Sequence, residues 1–127
     1  MKMIKKVYYH DTDCGGVVYY ANYLKYLEEA RTEYFCDKGI DLKKLSQIGV
    51  MFVVRRVEID YKSPAKYADT LDIFTQITRK KNVSLEFFQE VKREDKVLVS
   101  AKTILVSVNK ELRPASIPQD IIESLSK

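Results

Sequence analysis

The sequence predicts an α+β fold in which an antiparallel five-stranded sheet wraps around one long helix. Two patterns carry that expectation. One stretch repeats apolar residues at helical spacing, and five others concentrate or alternate β-branched and aromatic residues between turn signals. The order is one strand, one long helix, then four strands joined mostly by tight turns, which sets helix against sheet rather than building alternating βαβ units. With 127 residues, 46% of them hydrophobic, the chain suits one domain, residues 1–127, around one core.

Ile4 to Tyr9 ends in Val-Tyr-Tyr and reads as the first strand, halted by the polar, Gly-containing loop His10 to Gly16. From Ala21 to Lys38, Tyr23, Leu27, Ala30 and Tyr34 fall on one helical face, with Lys25, Glu28, Glu29, Thr32 and Glu33 opposite. Gly39 stands where a left-handed C-terminal cap belongs. Asp41 can cap a short second helix, Leu42 to Ile48, which Gly49 would end. Met51 to Tyr61 is a β-branched and aromatic run closed by Ser63-Pro64-Ala65. Leu71, Ile73, Thr75 and Ile77 then alternate with polar or outward-facing residues, as do Val83, Leu85, Phe87, Gln89 and Val91. Lys81-Asn82 joins those two strands as a hairpin, Arg93-Glu94-Asp95 turns into the last strand, Lys96 to Asn109, and Pro118 to Leu125 reads as a terminal helix with Pro in its first turn. A sheet so built leaves open edges and an outer face, which pairing with at least one more copy would cover.

Charge narrows the function. Against 18 acidic residues stand 22 basic ones, a net charge of +4, and the two signs are interspersed. A nucleic-acid binder concentrates basic charge to neutralise several phosphates together, and the longest basic run here, Arg79-Lys80-Lys81, suits one small polyphosphate better than a duplex. Two cysteines, Cys14 and Cys36, make neither a disulfide scaffold nor a zinc site by themselves, so a reduced, cytoplasmic compartment is expected. The basic start leads into Val7-Tyr8-Tyr9-His10 without the apolar stretch of a secretory signal, and no run approaches the ~18 apolar residues of a membrane span. There is no G-x-G-x-x-G, no P-loop and no metal-ligand spacing.

The informative stretch is Asp11-Thr12-Asp13-Cys14-Gly15-Gly16-Val17-Val18-Tyr19-Tyr20-Ala21-Asn22-Tyr23. It closely resembles the YbgC and 4-hydroxybenzoyl-CoA thioesterases, whose motif reads D-x-D-x-x-G-x-V-aromatic-H/Y-x-x-Y. The resemblance runs over essentially the whole chain, through Arg31-Thr32-Glu33 and Tyr61-Lys62-Ser63-Pro64-Ala65. It implies a hot-dog fold, a homodimer with its active site at the subunit interface, and often a homotetramer of two such dimers. It implies hydrolysis of an acyl-CoA, or of an acyl carrier protein thioester, with no cofactor beyond the substrate's own coenzyme A.

Carried over by position, the catalytic carboxylate of that family falls on Asp13, and the amide that polarises the thioester carbonyl falls on the backbone N–H of Tyr20. The chemistry agrees: an ordinary Asp, with a pKa of about 3.9, is ionised at neutral pH and can activate water or attack the carbonyl itself. Gly15 and Gly16 let the backbone turn tightly beside a ligand. Gly16, Val18, Tyr19 and Tyr23 are then expected to line the substrate site, the aromatic residues otherwise serving as core. Arg79, Lys80 and Lys81 are candidates to hold the coenzyme A phosphates, Arg by a bidentate fork and Lys as a point charge, the alternative being a solvated hairpin tip. Arg113 is a weaker candidate. YbgC members commonly carry His where this chain has Tyr20. His10, Asp11 and Cys14 read more simply as structural residues than as catalytic ones.

Two other readings are open on the sequence. A hot-dog hydratase would need a His beside Asp13 through the helix entry, and none is there. A noncatalytic scaffold that binds an acyl thioester or acyl carrier protein, associated with the Tol-Pal envelope system to which the YbgC branch is linked, predicts that Asp13 is dispensable.

Overall fold

A computed structural model describes every residue from Met1 to Lys127. Strand β1 (Lys2–Lys6) leads through a 3₁₀ turn at Tyr9–Asp11 to helix α1 (Asn22–Asp37) and the short α2 (Leu42–Gln47). Strands β2 (Met51–Tyr61), β3 (Thr70–Lys80), β4 (Ser84–Arg93) and β5 (Lys96–Val108) follow, then α3 (Gln119–Leu125). The sheet order is β1-β3-β4-β5-β2, every neighbouring pair antiparallel. The chain between β1 and β2, which contains α1, therefore crosses from one edge of the sheet to the other.

The apolar stripe of α1 does what its spacing predicts. Tyr23, Leu27 and Ala30 are buried with Leu71, Ile73, Val91, Leu98, Val99 and Ala101 from β3, β4 and β5. Past Ala30 the stripe continues into a second cluster, where Tyr34 and Phe35 meet Leu85, Phe87 and Leu105 and α3 closes the end with Ile121 and Leu125. On β3 and β4 the inward set is Leu71, Ile73, Thr75 and Leu85, Phe87, Gln89, Val91, all buried. Register shifts at Val54/Arg56, Ile77/Arg79 and Val91/Lys92 bend the strands, and such bulges add the local twist that lets a sheet curl about a helix. No helix is long and apolar enough to cross a membrane.

Several element ends shift by a residue or more from the sequence reading, and two of the shifts involve a specific local geometry. The first strand lies at Lys2–Lys6, not Ile4 to Tyr9, because Asp11 captures the chain: its Oδ2 accepts the Tyr8 N–H at 2.9 Å and its own N–H donates to the Tyr8 carbonyl at 3.0 Å. A local carboxylate cap outweighs the β-propensity of two tyrosines. Pro118 precedes α3 at its N-cap, with extended ψ, instead of sitting in the first turn. The expected caps are in place elsewhere: Gly39 and Gly49 have φ of +77° and +86°, and Asp41 Oδ1 accepts the N–H of Lys43 at 3.0 Å and of Lys44 at 3.3 Å.

The loop from Pro64 to Asp69 matters to the site because it packs beside α1. Arg93 ties it down, donating from one guanidinium nitrogen to Asp69 Oδ2 at 2.7 Å and to the Pro64 carbonyl at 3.3 Å, while Asp69 Oδ2 also accepts the Lys66 N–H at 2.8 Å. Partial burial pushes the Asp69 carboxyl up, but the Lys66 amide and the Arg93 guanidinium outweigh it and hold the carboxyl below its usual range. A carboxylate depressed in the folded state stabilises above its unfolded pKa, and that stabilisation fades as pH falls through the lower, folded value. The stability lost in Asp69→Asn, read by urea unfolding, is therefore expected in full at pH 7 and to shrink as pH drops below about 4. An Asp69→Asn deficit independent of pH would contradict this account.

Candidate active site

Asp13 sits in a turn that the backbone builds around its own carboxylate. The Asp13 N–H donates to the Val17 carbonyl at 2.9 Å, the Gly16 N–H returns to the Asp13 carbonyl at 3.1 Å, and the Gly15 N–H reaches Asp13 Oδ1 at 2.8 Å. Gly16, with φ of +80°, is required for this shape, and a Cβ on Gly15 would lie 3.2 Å from that same Oδ1 and push the carboxylate aside. Oδ2 is left without a partner in the chain, and Asp13 is exposed.

Buried Asp11 anchors the turn. Its carbonyl accepts the Tyr19 N–H at 2.9 Å and the Asn22 side-chain amide at 2.8 Å, tying the loop to the first residue of α1. Val18 donates to the Ala65 carbonyl at 2.8 Å, and the Ala65 N–H donates to the Tyr23 hydroxyl oxygen at 3.0 Å. These bonds consume the amides of Val18 and Tyr19 and stop there: the N–H groups of Tyr20 and Ala21 make no hydrogen bond within the chain. They are orphan donors of a helix N-terminus, where the helix dipole adds partial positive charge.

Beside them lies an open cavity of about 250 Å³ lined by Val18, Tyr20, Tyr23, Tyr61, Lys62 and Pro64 among others. The three tyrosine rings pack on one another: Tyr61 meets Tyr20 edge-on at 6.1 Å and Tyr23 at 5.6 Å. Burial pushes the phenols of Tyr23 and Tyr61 up, so both stay neutral at physiological pH. The arrangement offers a carboxylate with one free oxygen, two free backbone donors and an apolar, aromatic wall.

Of the residues singled out in the sequence, Val18, Tyr20 and Tyr23 share this cavity, and Gly16 shapes the Asp13 turn. Tyr19 is exposed, its ring 5.0 Å from that of Tyr20, and does not line the cavity. His10 stacks on Tyr8 and its Nδ1 lies 3.3 Å from Asp11 Oδ1, so its partner is Asp11. Cys14 and Cys36 are free and exposed. Arg79, Lys80 and Lys81 lie at the β3–β4 hairpin, the opposite end of β3 from the loop that holds Asp13, about 30 Å away along the strand at ~3.3 Å per residue. There Arg79 and Lys81 line a second cavity of about 240 Å³ with Arg55, Lys102, Ser84 and Glu86; Lys80 does not. Arg113 is exposed, in the turn after β5.

Sequence reasoning missed the wall that Tyr61 adds and the two cations, Arg55 and Lys102, that join the basic cavity. Tyr61 stood inside the Tyr-Lys-Ser-Pro-Ala segment, a usable signal. Arg55 and Lys102 sit on strands β2 and β5 and meet the hairpin cations only through the sheet order.

A curled five-stranded antiparallel sheet enfolding one long helix is the hot-dog fold. The chain belongs to that class: the model of the thioesterase-like superfamily matches residues 7–125, and the protein is a thioesterase. Within the class it falls in the YbgC group. It is 39% identical to the acyl-CoA thioester hydrolase YbgC of Escherichia coli, over 92% of this chain and 89% of that one. Among solved structures it resembles a protein of Aquifex aeolicus, with a TM-score of 0.94, 28% identity and 98% of each chain covered. It also resembles the "Probable Thioesterase" of Bartonella henselae, with a TM-score of 0.89 and 33% identity over 93% of this chain and 98% of that one.

Proposed function

We propose that this chain hydrolyses an acyl-CoA thioester to the free acid and coenzyme A, using Asp13 and the backbone N–H of Tyr20. The observation that carries the reading is the juxtaposition along the chain of a carboxylate held by Gly15 with a free oxygen, and two amides at the start of α1 that nothing in the chain satisfies. Asp13 either takes a proton from the attacking water or attacks the carbonyl carbon and leaves a mixed anhydride for water to open. In both routes negative charge grows on the thioester oxygen, and one well-placed amide typically contributes about 10²–10³ in rate to such a step. The leaving group departs as the thiolate of coenzyme A, which enters as part of the substrate, so the chemistry runs on the chain's own groups. Free, exposed cysteines and a soluble coenzyme A thioester both suit a cytoplasmic setting.

The site is completed by a second copy in this reading. Edge strand β2 has one unpaired side, and Val53, Val54, Val57 and Tyr61 on it are exposed. Antiparallel pairing of two β2 strands about a two-fold axis sets the Met51 end of one chain beside the Tyr61 end of the other. Ser84 pairs with Val106 and Val106 with Val53, Glu86 with Ile104 and Ile104 with Arg56, and Lys102 with Glu58, so the Arg55, Arg79, Lys81 and Lys102 cavity lies across the middle of β2. From there it would face the partner copy near the two-fold axis, where it could hold the phosphates of a coenzyme A that extends from the partner's site. A tetramer of two such dimers extends the same logic.

The test is thiol release from a panel of short-chain, long-chain and aromatic acyl-CoAs and their acyl-pantetheine counterparts. A kcat/KM of about 10⁴ M⁻¹s⁻¹ or more on some acyl-CoA is expected. An Arg79→Ala/Lys81→Ala variant should raise KM for that acyl-CoA about tenfold while leaving the acyl-pantetheine, which lacks the nucleotide phosphates, unaffected. Absence of turnover across the panel would overturn the function, and an equal effect on both substrate forms would remove the phosphate assignment.

A further inference from the structure

Tyr61 ends strand β2, outside the Asp13 motif and 41 residues along the chain from Tyr20. Its ring is a wall of the cavity, edge-on to Tyr20 and tilted against Tyr23. Its hydroxyl does something separate: it donates to the carbonyl oxygen of Tyr20 at 3.3 Å. That carbonyl has one other donor, the Tyr23 N–H at 3.4 Å, which is long for a helical bond. The entry to α1 is therefore held loosely by the helix itself and steadied from outside by a phenol.

A peptide unit is planar, so fixing its carbonyl fixes its N–H, which points the opposite way. The Tyr20 carbonyl belongs to the peptide whose nitrogen is that of Ala21, one of the two unbonded amides, and the other, Tyr20 N–H, is hinged to the same α-carbon. Resting on the reading that these amides receive the developing oxyanion, we propose that Tyr61 is a positioning residue: through its hydroxyl it locks the Tyr20–Ala21 peptide so that both amides meet the thioester oxygen together. It touches the chemistry only through that peptide, and it is supplied by the strand that also carries the unpaired edge. Because burial keeps the phenol protonated well above neutrality, the donor persists through the working pH range.

Ring and hydroxyl can be separated. Tyr61→Phe retains the wall and removes the bond to the Tyr20 carbonyl, so kcat is expected to fall about tenfold with KM and acyl-chain preference unchanged, the size of effect that follows when reacting groups are slightly misplaced. The loss should be constant between pH 6 and 9. Tyr61→Leu removes both and should in addition raise KM or shift the preferred acyl group. A purely structural role would lower the folded fraction in both variants without splitting kcat from KM, so each is assayed at equal folded concentration. A Tyr61→Phe enzyme with kcat within twofold of wild type overturns the proposal. Asp13→Asn in parallel tells the two failures apart: if it is inactive while Tyr61→Phe is normal, only the positioning role falls, and if it too is normal, the reading of the site falls.

Discussion

Asp13→Asn is expected to lower kcat/KM for the best acyl-CoA by about 10³-fold, a loss in kcat far more than in KM. The reason is chemical more than structural. An amide matches a carboxylate in shape, and its oxygen can still accept the Gly15 N–H, the one side-chain bond Asp13 makes. Asp13 is exposed, and the turn around it is closed by backbone bonds from Asp13 to Val17 and from Gly16 to Asp13 that the substitution leaves alone. Stability should thus change by no more than about 0.5 kcal/mol. What disappears is the lone pair able to take a proton from water or to attack carbon. Residual activity would come from the amides at the start of α1, which still stabilise the oxyanion. Thiol release at equal folded concentration measures the loss, and a variant within tenfold of wild type would remove Asp13 from the reaction. In ¹⁸O water, label appearing in the Asp13 carboxylate during the first turnover would mark an anhydride opened at the Asp13 carbon, whereas label confined to the product acid fits both general-base attack and an anhydride opened at the acyl carbon.

That prediction rests on residues legible in the sequence, and it is instructive where legibility stopped. The stripe Tyr23, Leu27, Ala30, Tyr34 and the glycine after it were readable because a helix repeats every 3.6 residues and its left-handed cap wants glycine. The hairpins were readable because strands alternate. The end of β1 was not, since Val7-Tyr8-Tyr9 reads as strand until the carboxylate of Asp11 is known to fold back on the Tyr8 amide. Lys80 could not be told from Arg79 and Lys81 until the bulge at Ile77/Arg79 and the pairing of Arg79 with Glu86 fixed which side chains share a face. The same holds for Tyr61, whose bond to the Tyr20 carbonyl depends on β2 lying at the far edge of the sheet beside the start of α1. Local chemistry was visible in the chain, whereas contacts across it needed the topology.

Arg31 is the sharpest case of such a contact, and it leads to the largest expected effect on stability. It lies beside the apolar stripe of α1, where a charged side chain would be read as solvated, yet only 8% of it is exposed. No carboxylate lies within ion-pair distance; instead a guanidinium N–H donates at 3.1 Å to Oε1 of Gln89, which is 1% exposed on the inward face of β4. The Gln89 amide nitrogen donates in turn to the Leu27 carbonyl and to Thr75 Oγ1, each at 3.0 Å, so one neutral side chain joins α1, β3 and β4. Burial pulls the Arg31 pKa down, a sign that its charge has lost water, with the nearby charge of Glu28 opposing the shift. Gln89→Leu keeps the volume but strips a desolvated cation of its acceptor and leaves the Thr75 hydroxyl unpaired. Breaking a buried polar contact from one side in this way typically costs about 3 kcal/mol or more, so the variant should unfold at markedly lower urea. Arg31→Met in the same background removes the stranded charge and should restore more than half of the loss, because apolar residues of similar size can replace a buried polar pair at little cost. A double-mutant cycle at fixed protein concentration, which keeps subunit association from shifting the midpoints, measures the coupling. A Gln89→Leu cost below about 1 kcal/mol would mean that hydration still reaches Arg31 and that apolar packing alone holds α1, with the unpaired amides at its start, against the sheet.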